Sequence, residues 1–193
     1  MSVRVHSRSR GESATAGAAY RLGLCIMDAR TGIRHDYRRR SDIAAALTVL
    51  PDDAPPALGE PAALWNAAEA AERRGNSCVA REVLVALPAE LTDAQREALA
   101  RELAAWLVAR YSVAVSVGLH RPEHGANWHA HMLMTTRRIT AQGFADKVRM
   151  LDDKITGPQE IEAIRAEVAR ATNAALERAA QSARIDHRSL EAQ

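Results

Sequence analysis

Residues 113–136 read VAVSVGLHRPEHGANWHAHMLMTT, and this stretch contains the pattern that predicts the centre of the fold. From 112 to 120, apolar residues alternate with small or polar ones, which is the pattern of a strand with one buried face. After a loop, a second alternating segment begins at His129. Because His129 and His131 are two residues apart, their side chains share one face of that strand. The stretch therefore predicts a β-hairpin with a histidine-bearing face.

Pairing the two strands around the loop sets His120 opposite His129 and Gly118 opposite His131. Three imidazoles then converge beside residues without bulk, which predicts a three-histidine site for a divalent metal with open positions for substrate oxygens and water. His124 is the alternative third ligand, although its direction within the loop is not fixed. A surface cluster that binds no ion is the alternative to a metal site. Imidazole ligands alone suit zinc, manganese, cobalt or nickel.

The flanking sequence predicts further strands and helices. Strand-like alternation recurs at 3–8 and 79–87, two short strands flank a turn at 28–32, and the strand from His129 is expected to reach about Ile139. Helices are predicted at 12–22, from Pro61 to about 74, from a capping box at 92–95 to about 110, and from Pro158 to about Arg184. These elements predict one α+β domain over residues 1–193. Its architecture is a two-layer sandwich: an antiparallel sheet of about five strands, helices packed on one face, and a long C-terminal helix.

The composition excludes several classes of protein. The chain has 193 residues, of which 47% are hydrophobic and 26% charged, so it can bury the core of one domain. Its two cysteines argue against a disulfide scaffold and a cysteine-rich zinc site. No apolar window is long enough to span a membrane, and the N-terminal segment lacks the apolar core of a signal peptide. We therefore expect a cytoplasmic protein with no membrane insertion.

Positive charge is concentrated near the N-terminus. The net charge is only +2, but residues 1–40 contain nine arginines against three acidic residues. Arginine favours forked contacts with phosphate, although a GC-rich genome would give the same preference for arginine over lysine. We expect this segment to contact a polyanion. The candidate DNA-binding side chains are Arg8, Arg10, Arg21, Arg38, Arg39 and Arg40.

Several segments resemble one known family. NWHAHMLMTTRRI (127–139) resembles the His-hydrophobe-His motif of the HUH endonuclease superfamily. SRSRGESATAGAAYRLG (7–23) resembles the tyrosine motif of MobA/MobL-type plasmid relaxases, the MOBQ class. LWNAAEAAERR (64–74), AREVLVALPAEL (80–91) and IDHRSLEAQ (185–193) are also similar to family segments. The resemblance runs in order over nearly the whole chain.

The resemblance implies a DNA-nicking and strand-transfer enzyme that starts the transfer of a plasmid. It makes Tyr20 the nucleophile and His120, His129 and His131 the ligands of a divalent metal, with manganese or magnesium as the working ion. Glu82 matches an acidic family position and would orient a ligand imidazole or accept the tyrosine proton. The implied partners are single-stranded or hairpin DNA from the origin of transfer, accessory mobilization proteins and a coupling protein. Family members often continue into helicase or primase regions, so a longer parent protein remains an open alternative.

Three other functions are compatible with parts of this pattern. A rolling-circle replication initiator would share the histidine motif, but such initiators more often place the tyrosine after it, whereas Tyr20 precedes it. A DNA-binding regulator with a structural metal would need no nucleophile. A metal hydrolase of small phosphoesters would release free products and form no covalent link to DNA.

Overall fold

The computed structural model describes residues 1–121 and 127–188. The helices are α1 (Ala14–Leu22), α2 (Pro61–Ala71), α3 (Asp93–Tyr111) and α4 (Thr156–Arg178). The strands are β1 (Ser2–Ser7), β2 (Cys25–Met27), β3 (Arg34–Asp36), β4 (Ile43–Val49), β5 (Cys78–Ala86), β6 (Val115–His120), β7 (His129–Met134), β8 (Arg137–Thr140) and β9 (Gly143–Lys147). Within the described ranges, no helix is long and apolar enough to cross a membrane.

The centre of the fold is a five-stranded sheet in the order β1-β5-β7-β6-β4. Every neighbouring pair in this sheet is antiparallel. Two separate hairpins, β2-β3 and β8-β9, lie outside it. The predicted α+β class, the antiparallel sheet of five strands and the long C-terminal helix are confirmed.

The helices lie on both faces of the sheet, so the expectation that they pack on one face was wrong. Leucines and valines of α3 and α4 pack with Val115, Val117 and Leu119 of β6 in the larger apolar cluster. The smaller cluster joins α1 and α2 to the opposite side, which also carries the histidines. Small residues on that side make room for these helices, and Trp65 of α2 donates a hydrogen bond from Nε1 to Ser116 Oγ at 3.1 Å. The alternation in β6 had identified only the more apolar face.

The strands differ from the sequence prediction in two places. The strand β4, with the sequence IAAALTV, was not predicted because alanine has a low strand propensity, and its place at the sheet edge comes from pairing with β6. The strand expected from His129 to about Ile139 divides into β7 and β8, because the hydrogen bonds of Thr135 interrupt it. Its backbone nitrogen donates to Ala114 O at 3.0 Å, and its hydroxyl bonds to Arg137 O at 2.9 Å.

The C-terminal helix α4 ends six residues before the predicted boundary. Ala180 takes a left-handed backbone conformation with φ of 53°, which is incompatible with continued helix. The nitrogens of Ala180 and Gln181 donate to the carbonyls of Glu177 and Leu176, and these bonds close the last turn. Amphipathic periodicity alone did not contain this stop signal.

Gly118 of β6 is the point where α1 comes closest to the sheet. A Cβ atom added there would lie 2.1 Å from the Arg21 carbonyl oxygen and 2.9 Å from its carbonyl carbon. Both atoms are backbone, so the clash can be relieved only by moving α1 or the strand. Glycine at 118 is therefore required for the contact between α1 and the histidine-bearing face.

We expect Gly118→Ala to destabilise the fold by about 1–3 kcal/mol, the usual cost of overpacking a close contact. In a chain of this size, each kcal/mol lowers the melting temperature by about 2–4 °C. Gly59→Ala is the matched control, because an added Cβ there has no heavy atom within 4 Å. Equal melting temperatures of the two variants, measured by circular dichroism, would contradict the close approach.

Candidate metal centre and tyrosine site

The hairpin of β6 and β7 brings three histidines together in the predicted register. His120 pairs with His129, and Gly118 pairs with His131. The ring centroids are 4.3 Å apart for His120 and His131, 5.0 Å for His129 and His131, and 5.3 Å for His120 and His129. One nitrogen from each ring lies within 4.8 Å of the others, so the three side chains can hold a metal ion. His124, the alternative third ligand, lies outside the described residues.

The nitrogens that face away from the cluster are held by hydrogen bonds. His129 Nδ1 donates to Asn127 O at 2.8 Å, and His131 Nδ1 donates to Glu82 Oε1 at 2.5 Å. Each bond leaves Nε2 with the lone pair that a metal requires, which is the usual arrangement around histidine ligands. The donor set and its orientation therefore fit a divalent ion at His129 and His131.

His120 is the buried member of the cluster. Its Nε2 donates to the Arg21 carbonyl at 2.8 Å, and its Nδ1 lies 3.7 Å from Asp42 Oδ2. Burial lowers the pKa of His120 to about 4, and the opposing effect of the hydrogen bond to Arg21 is smaller. The imidazole is therefore neutral near pH 7, as a metal ligand must be.

Glu82 joins the histidine cluster to α1. Its side chain is buried on β5. Arg21 donates hydrogen bonds to both carboxylate oxygens, from Nε to Oε1 at 2.6 Å and from Nη2 to Oε2 at 2.7 Å. His131 bonds to Oε1, and His6 lies 3.2 Å from Oε2. Burial raises the pKa of Glu82, but the hydrogen bonds from His131, His6 and Arg21 outweigh it and hold the pKa far below its usual range. These contacts favour an orienting role for Glu82 over proton acceptance.

Tyr20 lies in the last turn of α1, beside Arg21. Ser13 caps the start of the helix, because its hydroxyl accepts a hydrogen bond from the Ala16 nitrogen at 3.1 Å, and Gly23, with φ of 65°, caps its end. Arg21 points inward to Glu82, whereas the Tyr20 side chain is 43% exposed. The same helical turn thus carries one residue fixed to the cluster and one accessible phenol.

Arg40 and Tyr37 hold the exposed Tyr20 ring. The Arg40 guanidinium carbon lies 4.0 Å from the ring centroid, and Arg40 Nη1 donates to Tyr20 O at 3.0 Å. Tyr37 packs edge-on against the ring with centroids 5.3 Å apart. Such cation–π and edge-to-face contacts restrict the orientation of a ring that is otherwise open to solvent.

Asp42 completes a connection that the sequence reasoning missed. Arg40 Nε donates to Asp42 Oδ1 at 2.9 Å, and the other Asp42 oxygen faces His120. A chain of contacts thus runs from the Tyr20 ring through Arg40 and Asp42 to a histidine of the cluster. Asp42 immediately precedes β4, so it could have been found only if β4 had been predicted and paired with His120.

The predicted DNA-binding arginines fall into three groups. Arg8 and Arg21 are corrections, because their side chains are largely buried and already occupied: Arg8 binds the Glu69 carboxylate and the carbonyls at the end of α2, and Arg21 binds Glu82. Arg10, Arg38 and Arg39 are exposed, and Arg38 pairs with Asp36 at 2.7 Å. Arg40 is partly buried beside Tyr20. Arginine spacing in the sequence could not separate buried ion pairs from free surface charge.

Comparison with known proteins agrees with the motif resemblance. Residues 12–193 match the MobA/MobL family. This chain belongs to that family. It is 35% identical over 218 aligned residues to Mobilization protein MobL of Acidithiobacillus ferridurans, covering 98% of this chain and 57% of the relative. It is 33% identical to Mobilization protein A of Escherichia coli, covering all of this chain and 27% of that protein.

A solved structure confirms the architecture. The structure reported as "Molecular Basis of Vancomycin Resistance Transfer in Staphylococcus aureus" superposes with a TM-score of 0.87 at 27% identity, and covers 97% of both chains. The chain spans between about a quarter and three fifths of the length of the two mobilization proteins compared above. The likeness therefore covers all of this fold but only part of those relatives.

We expect Glu82→Gln to lower the affinity for Mn²⁺ by at least about tenfold, because the variant weakens the partner that orients His131. Isothermal titration calorimetry measures the affinity directly. Glu72→Gln is the matched control, since Glu72 is also a buried carboxylate but pairs with Arg137 and Lys147. Equal losses in both variants would indicate a general loss of stability and contradict the specific role of Glu82.

Proposed function

We propose that this chain is a DNA-nicking and strand-transfer domain that acts at a plasmid origin of transfer. The observation that carries the proposal is the double connection between α1 and the histidine cluster. Arg21 attaches the helix to Glu82 and His120, and contacts run from the Tyr20 ring through Arg40 and Asp42 to His120. Membership of the MobA/MobL family supports the same activity. Single-stranded or hairpin origin DNA is the proposed substrate, and accessory mobilization proteins and a coupling protein are the proposed partners.

In the proposed reaction, the Tyr20 phenol oxygen attacks the phosphorus of one phosphodiester. The new bond joins this oxygen to phosphorus, and the bond from phosphorus to the 3′ oxygen breaks. The phenol proton passes to solvent, and the departing 3′ oxygen takes up a proton. The products are a 5′-phosphotyrosyl ester and a free 3′ hydroxyl. Since the ester conserves the bond energy, another 3′ hydroxyl can reverse the reaction and rejoin the strand.

The side chains around Tyr20 have separate tasks in this reaction. Arg40 and Tyr37 orient the ring, and Glu82 orients His131 and anchors Arg21. His120, His129 and His131 would hold the divalent ion, for which we propose manganese or magnesium. When bound, this ion supplies Lewis-acid stabilisation of negative charge at the scissile phosphate.

Tyr20→Phe is expected to retain DNA binding and to lose both cleavage and the covalent adduct, because it removes only the attacking oxygen. Labelled single-stranded DNA from the cognate origin, separated on a denaturing gel, measures cleavage, and peptide mapping locates the adduct. Tyr37→Phe is the matched control, because its ring packs directly against Tyr20. An adduct on Tyr37 would refute the choice of nucleophile. Cleavage without any adduct would refute the covalent mechanism.

Asp42→Asn is expected to lower the cleavage rate constant about tenfold with little change in KM, because Arg40 loses the carboxylate that holds it against Tyr20. This magnitude corresponds to about 1.4 kcal/mol in the activation barrier. Asp36→Asn is the control: Asp36 also pairs with an arginine two residues away, but this pair is exposed and, in the described part of the chain, makes no hydrogen bond or ion pair with Tyr20 or His120. If both variants cleave like the unmodified protein, the Asp42 connection has no role in the reaction.

A further inference from the structure

Two grooves on the surface share Arg73 in their lining. The α1 groove, of about 530 Å³, lies beside the first turns of α1, and its charged lining residues are Arg8, Glu12, Asp28, Arg30 and Arg73. The β9 groove, of about 450 Å³, lies beyond the end of α2. Its charged lining residues are Glu72, Arg73, Arg74, Arg137, Lys147, Arg149 and Asp152. Because Arg73 lines both grooves, the two grooves adjoin at this residue.

The β9 groove carries positive charge that the protein itself does not neutralise. Arg137 and Lys147 share the buried carboxylate of Glu72, at 2.9 and 3.1 Å, and Asp152 pairs with Arg81. Three exposed arginines remain: Arg73, Arg74 and Arg149. In the part of the chain that the structure describes, none of the three has a carboxylate within salt-bridge distance. The groove therefore offers three free guanidinium groups to an anionic partner.

The α1 groove connects this charge to the tyrosine. Ala16, which lines the α1 groove, lies four residues before Tyr20, so both side chains are on the same face of α1 and one turn apart. Cys78, which lines the β9 groove, lies six strand residues from Leu84, the pairing partner of His131. That separation along β5 is about 20 Å. A DNA strand bound at Tyr20 can therefore pass along α1, cross Arg73 and reach the β9 groove.

We propose that these grooves form a track that binds the phosphate backbone of the DNA flanking the cleaved bond, with Arg73, Arg74 and Arg149 as its principal contacts. This inference rests on the proposed function for its ligand. The track extends the binding surface well beyond the N-terminal arginines, because none of its three principal residues lies within residues 1–40. Guanidinium groups in a polar groove suit phosphate oxygens, whose contacts position a nucleic acid without reading its sequence.

The lining of the β9 groove favours nucleic acid over an acidic protein partner. Its described lining contains no aromatic or large aliphatic side chain. Protein interfaces usually obtain most of their affinity from a few such side chains buried at their centre, whereas backbone binding by DNA needs only cations. Because the β9 groove offers positive charge without apolar side chains, it suits a DNA backbone better than an acidic protein.

The test compares Arg73→Gln/Arg149→Gln with the unmodified chain for binding of labelled oligothymidylate, by fluorescence anisotropy over a series of salt concentrations. Each lost phosphate contact should reduce the slope of log affinity against log salt by about 0.7 for single-stranded DNA, or about 1.4 for both residues. Arg101→Gln/Arg165→Gln is the matched control, because these exposed arginines lie on α3 and α4 and line neither groove. Circular dichroism verifies that each variant is folded.

A slope reduced in the Arg73/Arg149 variant but not in the control supports the track. Equal slopes in all three proteins would overturn it. Loss of affinity for polyglutamate without loss for oligothymidylate would also overturn it and assign the groove to an acidic protein. Because the assay measures binding alone, its outcome is independent of cleavage. A Tyr20→Phe protein that still nicks DNA would refute the proposed mechanism but not the track.

Discussion

Arg21 makes the contacts on which the arrangement of the site depends. Its guanidinium binds both oxygens of Glu82, and its carbonyl accepts a hydrogen bond from His120 and lies against Gly118. The ion pair is buried, so removing one partner would leave an uncompensated charge at a cost of about 3–5 kcal/mol. One residue therefore fixes the end of α1 to two strands of the sheet, and the position of Tyr20 follows from that attachment.

The polar residues around the histidines divide into a rigid interior and an accessible edge. Glu82 and His6 are buried and hydrogen-bonded to each other, and the buried His120 bonds to the Arg21 carbonyl, whereas His129 and His131 are only partly buried. Buried networks of this kind hold side chains in one geometry because each member would be costly to leave unpaired. The partly buried rings of His129 and His131 and the exposed Tyr20 side chain thus lie on a preorganised framework and face solvent. This arrangement suits a reaction on a large polymer.

Charge on this protein has two distinct uses. Arg8 and Arg21 form buried ion pairs with Glu69 and Glu82, and these pairs hold helices in place. Among residues 1–121 and 127–188, the exposed arginines of the loop after α2 and of the segment after β9 have no such carboxylate partners and are available to a polyanion. A net charge of +2 conceals this division, because most acidic residues neutralise arginines locally. The surface potential is set by which arginines remain unpaired, and that depends on the fold.

The hairpin and the convergence of the three histidines could be predicted from local periodicity, because the two-residue repeat of a strand fixes which side chains share a face. The sequence also determined the fold class and the family. Three features follow from packing and could not be predicted: helices cover both faces of the sheet, Arg21 binds Glu82, and Asp42 reaches His120. These contacts join residues far apart in the chain, and β4, which positions Asp42, has too little strand propensity to be predicted. Periodicity reports local geometry, whereas the partners of a buried charge are chosen by packing.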